Sequence, residues 1–193
     1  DNATIYYTSG STGKPKGVLS SHRGIISTMF SWACISKILT ERENRLGNDA
    51  APLTDPDLSI LVCVPLFHVT GSHVAFLMSV LVGRKVVMMK KWDAGEAIKL
   101  ISEEKISDIT GVPTQTWELL NHPDKDNYDL SSLKTLAGGG GPRPAEHVKM
   151  LDDNFEGRPG IGYGLTETNA IGTLVTGDDY VSNPSTAGRV VPP

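Results

Sequence analysis

The sequence has few of the residues that mark several common classes of protein. It contains only two cysteines, Cys34 and Cys63, which lie far apart in apolar surroundings and have no Cys-x-x-Cys spacing. This excludes a disulfide-rich secreted scaffold and a cysteine-based zinc motif. We therefore expect both cysteines to be buried free thiols, as is compatible with a protein of the reducing cytoplasm.

An excess of basic residues and long apolar runs are missing as well. There are 18 lysines and arginines against 22 acidic residues, a net charge of −4, which argues against a general nucleic-acid-binding protein. The longest apolar run, residues 74–82, includes a serine and is too short to cross a bilayer. The histidines lack the spacing of a metal site. What remains is an ordinary globular composition, with 39% apolar and 21% charged residues and no indication of an oligomeric state.

The chain does show a regular alternation of predicted strands and helices. Ser20 and Ser21 offer an N-cap for an amphipathic helix, and residues 41–57 have the composition of a surface connection. The apolar patterns predict strands at residues 4–7, 59–64, 85–89, 107–111, 133–137 and 160–162, and helices at residues 23–39, 72–82, 93–105, 114–121 and 142–155. This order predicts an α/β fold with a mainly parallel β-sheet and helices on both faces.

A loop near the N-terminus has the composition of a phosphate-binding site. Residues 8–17 hold three glycines, four hydroxyl side chains and two lysines. Glycines bring backbone N–H groups close to an anion, hydroxyls donate hydrogen bonds and lysines supply charge. The spacing fits neither the P-loop nor the dinucleotide fingerprint, so a flexible surface loop stays open as an alternative. We also expect the positive end of the helix at residues 23–39 to lie near this loop and to strengthen the anion site.

The same stretch closely resembles the signature of the adenylate-forming superfamily, which includes acyl- and aryl-CoA synthetases, luciferases and the adenylation domains of peptide synthetases. The family pattern is an aromatic residue, Thr-Ser-Gly-Ser-Thr-Gly, one free position and Pro-Lys-Gly-Val, and the chain matches it without a break from Tyr7 to Val18. The resemblance implies that this loop holds the pyrophosphate part of ATP. The implied nucleotide-binding residues are Thr8, Ser9, Gly10, Ser11, Thr12, Gly13, Lys14 and Lys16.

A second segment, residues 65–71, resembles the family pattern Pro-x-Phe-His-x-x-Gly. In acyl-CoA ligases this pattern lies beside the acyl and pantetheine channel. Amino-acid-activating members usually have an aspartate where this chain has His68, so the resemblance favours a plain carboxylic acid as substrate. Taken alone, such a histidine is also typical of a core or helix-end position.

Two later segments complete the set of family signatures. Gly139, Gly140 and Gly141 resemble the Gly-Gly-Ala element that forms a wall of the adenine and acyl pocket, with glycine in place of the alanine. Residues 162–168 resemble Tyr-Gly-x-Thr-Glu, in which the tyrosine stacks on adenine, the threonine contacts the phosphate or acyl region and the glutamate binds the metal. The resemblance thus adds Tyr163 and Gly164 to the nucleotide site. It also implies Thr166, Glu167 and His68 as catalytic residues and Glu167 as a ligand of Mg²⁺. A Thr-Gly-Asp copy at residues 176–178 comes too early in the chain for the family's ribose-binding element and is predicted to be a surface turn.

The resemblance implies a two-step reaction in which ATP activates a carboxylic acid to an acyl-adenylate and coenzyme A then takes the acyl group as a thioester. Proteins of the family are longer, so residues 1–193 are predicted to be one domain-sized fragment of the large AMP-binding domain, without the small C-terminal domain and its catalytic lysine, and inactive alone. A fatty acid is the expected substrate. An aryl-acid ligase, a luciferase-like enzyme and a catalytically dead nucleotide-binding or interaction module remain alternatives.

Overall fold

In a computed structural model, the described residues are 1–10, 13–47, 50 and 52–192. Their strands are β1 (Asn2–Thr8), β2 (Lys16–Ser21), β3 (Ser59–Val62), β4 (Lys85–Met88), β5 (Asp108–Gly111), β6 (Thr135–Gly138), β7 (Arg158–Tyr163), β8 (Thr173–Thr176) and β9 (Arg189–Val190). Their α-helices are α1 (His22–Arg45), α2 (Met78–Val82), α3 (Ala94–Glu104), α4 (Pro113–Leu120), α5 (Ala145–Asn154) and α6 (Gly177–Ser182). A π-helix, Thr70–Leu77, runs directly into α2, and 3₁₀ turns occur at Lys125–Asn127 and Thr166–Thr168.

The central sheet has the strand order β4-β3-β5-β6-β7-β8-β9. The pairings from β4 to β7 are parallel, and β8 and β9 extend the sheet in antiparallel pairing. All four residues of β3 are buried, as expected of a parallel strand covered on both faces. The predicted α/β fold with a mainly parallel sheet is confirmed.

Both faces of the sheet carry helices. On one face Leu61, Ile109 and Leu136 pack in a core with residues of α3, α4 and α5. On the other face Ile60 and Val62 pack against Ala75 of the π-helix. Successive residues of a strand point to opposite faces, so each strand supplies side chains to two separate layers. The prediction of helices on both faces is confirmed.

The N-terminal region differs from the sequence-based expectation. The predicted strand is present as β1, but the loop after it leads into β2, which pairs with β1 in an antiparallel hairpin outside the central sheet. The helix α1 follows β2, with Ser21 as its N-cap accepting a hydrogen bond from the N–H of Gly24 at 3.1 Å. Its N-terminus is therefore five residue steps from the loop, roughly 17 Å along β2. The expectation that the positive end of α1 lies near the loop is wrong.

Three smaller expectations also change. The helix α1 extends to Arg45, so the first residues of the predicted surface connection are helical. Cys63 is buried as expected, whereas Cys34 is exposed, because it lies on the outward side of α1. Burial raises the pKa of the Cys63 thiol to about 12. The predicted turn at residues 176–178 instead ends β8 and begins α6.

Candidate functional site

A cleft of about 1330 Å³ lies between α1 and one face of the central sheet. One wall consists of α1 side chains at helical spacing: Trp32, Ile35, Ser36, Leu39, Thr40 and Glu43. The opposite wall is the sheet, and the carboxyl ends of its parallel strands form one end of the cleft. In open α/β sheets this is the edge at which ligands bind.

The cleft exists because the two faces of the sheet have side chains of different size. Ile109 and Leu136 point into the core under α3, α4 and α5. Their neighbours Thr110 and Ala137, and Gly162 on β7, face the cleft instead. Because these three residues are small, the sheet does not reach α1, and space remains for a ligand.

Most of the predicted site residues meet at this cleft. The ten that line it are Thr8, Ser9, Gly10, Lys16, His68, Gly139, Gly140, Gly164, Thr166 and Glu167. Four others, Gly13, Lys14, Gly141 and Tyr163, do not contribute to its lining, and the Tyr163 side chain is 57% exposed. Ser11 and Thr12 lie outside the described residues.

The hairpin fixes the geometry of the glycine-rich loop. Thr8 and Lys16 are paired residues of β1 and β2, so the two ends of the loop lie side by side at the cleft. Within the loop, the N–H of Gly13 donates a hydrogen bond to the carbonyl oxygen of Gly10 at 3.2 Å. A hydroxyl and an ammonium group thereby reach the same edge of the cleft, which suits an anionic ligand.

The turn that carries Thr166 and Glu167 is held by local hydrogen bonds. The hydroxyl of Thr168 accepts from the N–H of Leu165 at 2.9 Å and donates to the carbonyl oxygen of Leu165 at 3.1 Å. The next two residues, Asn169 and Ala170, have φ of 53° and 71°, which is unusual for residues with a side chain. Such strained backbone is often found at functional sites.

A buried hydrogen bond connects this turn to the hairpin. The hydroxyl of Ser20 on β2 donates to Oδ1 of Asn169 at 2.7 Å, and both residues are buried. Asn169 also lies against the first turn of α1, because a Cβ placed on Gly24 would be 3.4 Å from its Nδ2. The N-terminus of α1 is thus near the glutamate-bearing turn. Ser20 and Asn169 are not among the predicted site residues, since nothing in the local sequence pairs residues 149 positions apart.

His68 lies just beyond β3, at the carboxyl end of the strand, and is exposed to the cleft. Its Nδ1 accepts a hydrogen bond from the N–H of Thr70 at 3.2 Å. In the neutral ring the proton is therefore on Nε2, which is left to donate to a ligand. His73, five residues later, is fully buried in the π-helix, its ring 5.5 Å from that of Tyr6, and burial lowers its pKa.

The end of the cleft near the amino ends of the strands is charged. Arg84 and Asp108 line it with side chains that are 7% and 16% exposed, and their closest charged atoms are 3.9 Å apart. Lys134 and Arg158 are further lining residues. Four residue steps separate Lys134 from Gly138, so this end lies roughly 13 Å from the carboxyl edge of the sheet.

Among the described residues, no group of three or more histidine, cysteine or acidic side chains could hold a metal ion by itself. Glu167 is an exposed carboxylate on the cleft, in the turn that follows β7. Mg²⁺ is often bound by one or two carboxylates together with the phosphates of a nucleotide, so this arrangement fits Mg²⁺ arriving with a nucleotide. In the part of the chain that is described, no helix is long and apolar enough to cross a membrane.

Comparison with curated proteins finds several CoA ligases. The chain is 31% identical over 193 residues to a CoA ligase of Rhodococcus jostii (strain RHA1) named for a propanoyl group on a methyl-dioxo-octahydroindene ring, covering all of this chain and 34% of that protein. It is 33% identical over 183 residues to a feruloyl-CoA synthase of Amycolatopsis, covering 94% of this chain and 33% of that protein. It is 31% identical over 172 residues to a long-chain-fatty-acid–CoA ligase of Bacillus subtilis (strain 168), covering 89% of this chain and 28% of that protein. The chain thus spans about a third of the length of these relatives.

Comparison with solved structures gives the same result. The N-terminal domain of FACL13 from Mycobacterium tuberculosis matches 99% of this chain and 44% of that chain, with a TM-score of 0.82 and 29% identity. The o-succinylbenzoate coenzyme A synthetase of Bacillus subtilis, solved with ATP and a magnesium ion, matches 99% of this chain and 36% of that chain, with a TM-score of 0.78 and 25% identity. The family model described as AMP-binding enzyme matches residues 1–193, and the chain therefore belongs to the AMP-binding enzyme family.

Proposed function

We propose that this chain supplies the nucleotide- and acid-binding part of an AMP-forming ligase that joins a carboxylic acid to coenzyme A. The observation that carries the proposal is the single cleft that joins the loop around Gly10, the wall at Gly139 and Gly140, and the turn with Thr166 and Glu167. At one end of the cleft are donors and a carboxylate suited to ATP and Mg²⁺, and beside them is a hollow large enough for an acid.

We further propose that residues 1–193 are one domain-sized part of a longer cytoplasmic enzyme. The support is that relatives of known name are about three times as long. In the family, a small C-terminal domain carries a lysine that completes adenylation. We therefore expect the 193-residue chain alone to catalyse little or no adenylation. Assays of the activity therefore need the complete gene product, that is, the whole protein that contains this chain.

In the proposed first step, a carboxylate oxygen of the acid attacks the α-phosphorus of ATP, and the bond to the β-phosphate oxygen breaks. Thr8, Ser9 and Lys16 bind the departing pyrophosphate, and the hydroxyl of Thr166 donates to the phosphate that becomes part of the acyl-adenylate. The step thus depends on positioning and on groups that offset negative charge. Mg²⁺, when bound with the nucleotide on Glu167, supplies further positive charge at the phosphates.

The other loop residues of the proposed nucleotide site are Ser11, Thr12, Gly13 and Lys14. In the part of the site that we assign to adenine, Gly141 continues the wall formed by Gly139 and Gly140, and the exposed ring of Tyr163 can stack on the base.

In the proposed second step, the thiol sulfur of coenzyme A attacks the acyl carbonyl carbon, AMP leaves, and the thiol proton passes to solvent or to the departing phosphate. His68 lies on the cleft with Nε2 free to donate, so we assign it the task of orienting the acyl carbonyl or the pantetheine arm. The segment 65–71 has a histidine here and no acidic residue, so it offers no partner to an α-amino group. The proposal is therefore limited to acids without that group.

For the acid itself, our first candidate is a medium- or long-chain fatty acid. The apolar wall of α1, with Trp32, Ile35 and Leu39, suits an alkyl chain. An aryl or ring-bearing acid is the second candidate, favoured by the width that Ala137 and Gly162 leave opposite Trp32. The relatives named for feruloyl and octahydroindenyl acids are consistent with it.

The test is ATP–pyrophosphate exchange by the complete gene product with a panel of alkyl and aryl acids, followed by mass spectrometry of the thioester. Lys16→Ala and Glu167→Gln should each reduce exchange at least tenfold. The control Lys99→Ala, on an exposed face of α3, should not. Nucleotide binding that is lost in the Lys16 and Glu167 variants, without any acyl-adenylate from the unchanged enzyme, would instead identify a catalytically dead nucleotide-binding module.

A further inference from the structure

A buried arginine lies directly behind the glycine wall of the cleft. Arg143 is 5% exposed and comes two residues after the four glycines, 138–141, of which the first ends β6. Its Nη1 donates to the carbonyl oxygen of Gly160 on β7 at 3.1 Å, and its Nη2 donates to the hydroxyl of Thr116 on α4 at 3.4 Å. Its Nε has no hydrogen-bond partner among the residues that the structure describes. The side chain thus ties the start of α5 to two other elements.

The guanidinium is separated from the cleft only by backbone. Gly138 lines the cleft, and a Cβ placed on it would be 2.6 Å from Nη2 of Arg143. Gly138 is paired with Gly111 on β5 and with Ile161 on β7, so neither Gly138 nor its partner on β5 places a side chain at this point of the sheet. A charge behind Gly138 therefore acts across one layer of backbone, at roughly 7 Å from a ligand in van der Waals contact with the other side of Gly138.

The charge of Arg143 is not neutralised by any of the described residues. In the described part of the chain no carboxylate forms an ion pair with it, although buried charges are usually paired. The titratable neighbours are Tyr180, whose hydroxyl lies beside the guanidinium without a hydrogen bond of good geometry, and His147. Burial and the positive charge of Arg143 lower the pKa of His147 to about 4, so both neighbours are neutral at pH 7. The guanidinium stays protonated although burial lowers its pKa.

We propose that Arg143 is a positioning residue of the adenylation site. Its side chain holds the glycine wall, residues 138–141, in place, and its charge, acting through Gly138, favours binding of the phosphate group of the adenylate in the cleft. The inference rests on the proposed function. It adds a residue that none of the signature motifs contains. A guanidinium without a carboxylate partner is costly to bury, and an anion bound on the other side of Gly138 offsets part of that cost. In this role Arg143 contacts no substrate and acts through the backbone of residues 138–141.

The experiment compares two ligands that differ by the phosphate, AMP and adenosine, in calorimetric binding to the complete gene product. In Arg143→Gln, AMP should bind about tenfold more weakly, as expected for loss of one partly screened charge at this distance, while adenosine affinity should change less than about threefold. Arg143→Lys keeps the charge and should restore most of the AMP affinity. Equal losses for the two ligands in Arg143→Gln, or no loss for either, would overturn the inference and assign the residue a packing role only.

A second pair of variants covers the case in which Arg143→Gln does not fold. Gly138→Ala must displace the guanidinium, because its methyl group would lie 2.6 Å from Nη2. Gly138→Ala should therefore weaken AMP binding more than adenosine binding, and the control Lys99→Ala, on an exposed face of α3, should leave the ratio of the two affinities unchanged. A ratio that Gly138→Ala leaves unchanged counts against Arg143. Failure of the unchanged protein to bind either ligand would overturn the proposed function itself.

Discussion

Two glycines of the N-terminal loop allow a direct test of whether its backbone forms the triphosphate site. Both have left-handed backbone conformations, with φ of 64° at Gly10 and 80° at Gly13. An alanine at either position costs about 1–2 kcal/mol for the conformation alone. The two positions differ in their surroundings. A Cβ on Gly10 would lie 2.4 Å from the carbonyl oxygen of Lys14, whereas a Cβ on Gly13 would have none of the described residues within 4 Å.

The size of the expected effect follows from this contact. An ordinary contact to a Cβ is about 3.4 Å or longer, so Gly10→Ala must move the Lys14 carbonyl by about 1 Å. Misplacement of a binding group by about 1 Å can reduce activity about 100-fold. We therefore expect ATP–pyrophosphate exchange by the complete gene product to fall about 100-fold in Gly10→Ala. In Gly13→Ala it should fall no more than about tenfold, since only the backbone conformation is strained there.

Thermal unfolding of both variants shows whether the losses are local. The described residues of the loop lie outside the core, so the two melting temperatures should stay within a few degrees of each other. Equal losses of exchange in the two variants, with intact folds, would refute the assignment of this loop to the triphosphate, because the contact at Gly10 would then have no bearing on the nucleotide. Unchanged exchange in Gly10→Ala would refute it as well.

Three further predictions concern stability and selectivity. The pKa of His147 is about 6.5 in the unfolded chain and about 4 in the folded protein, so the unfolded chain binds the proton first as the pH falls. This should lower the free energy of unfolding by about 3 kcal/mol between pH 7 and pH 4, and urea titrations of His147→Gln should lack this contribution. Gly162→Val should place methyl groups toward Trp32, because a Cβ at position 162 would lie 3.9 Å from the indole ring, and should lower kcat/KM at least tenfold for bulky acids while sparing acetate-sized ones. The Arg42–Asp179 ion pair, with nitrogen–oxygen distances of 2.7 and 2.9 Å but half-exposed partners, should contribute only about 0.5 kcal/mol, so Arg42→Ala should lower the melting temperature slightly and less at high salt.

The fold could be predicted because its pattern is local. Apolar runs of four to six residues alternate with amphipathic helices, and this order permits few topologies other than a parallel sheet. The strand β2 could not be predicted in this way because Lys16–Ser21 is polar and short, and is a strand only because β1 supplies its hydrogen-bond partners. The exposure of Cys34 escapes prediction for a related reason. Apolar neighbours in sequence do not determine which side of α1 faces the sheet.

The site could be predicted in part, for a different reason. Parallel strands bring their carboxyl ends to one edge, so signatures that follow β3, β6 and β7 necessarily gather there. The groups that support them could not be predicted. Ser20 and Asn169 meet across 149 residues, and Arg143 occupies a polar stretch that would normally be exposed. Each of these depends on tertiary packing, and each is a polar group whose burial becomes informative only once its partners are known.

The strands β5 to β7 perform two tasks with one alternating pattern. Ile109, Leu136 and Ile161 point to the side of α5, where their burial stabilises the fold. The residues that alternate with them, Thr110, Ala137 and Gly162, are small and face α1. On this face the sheet does not pack against α1, and a cleft remains. Substitutions on the first side should therefore change mainly stability, and those on the second mainly the choice of acid. Gly138 has no side chain, so it fills neither the core nor the cleft. The buried charge of Arg143, on the side of α5, can therefore act on a ligand in the cleft.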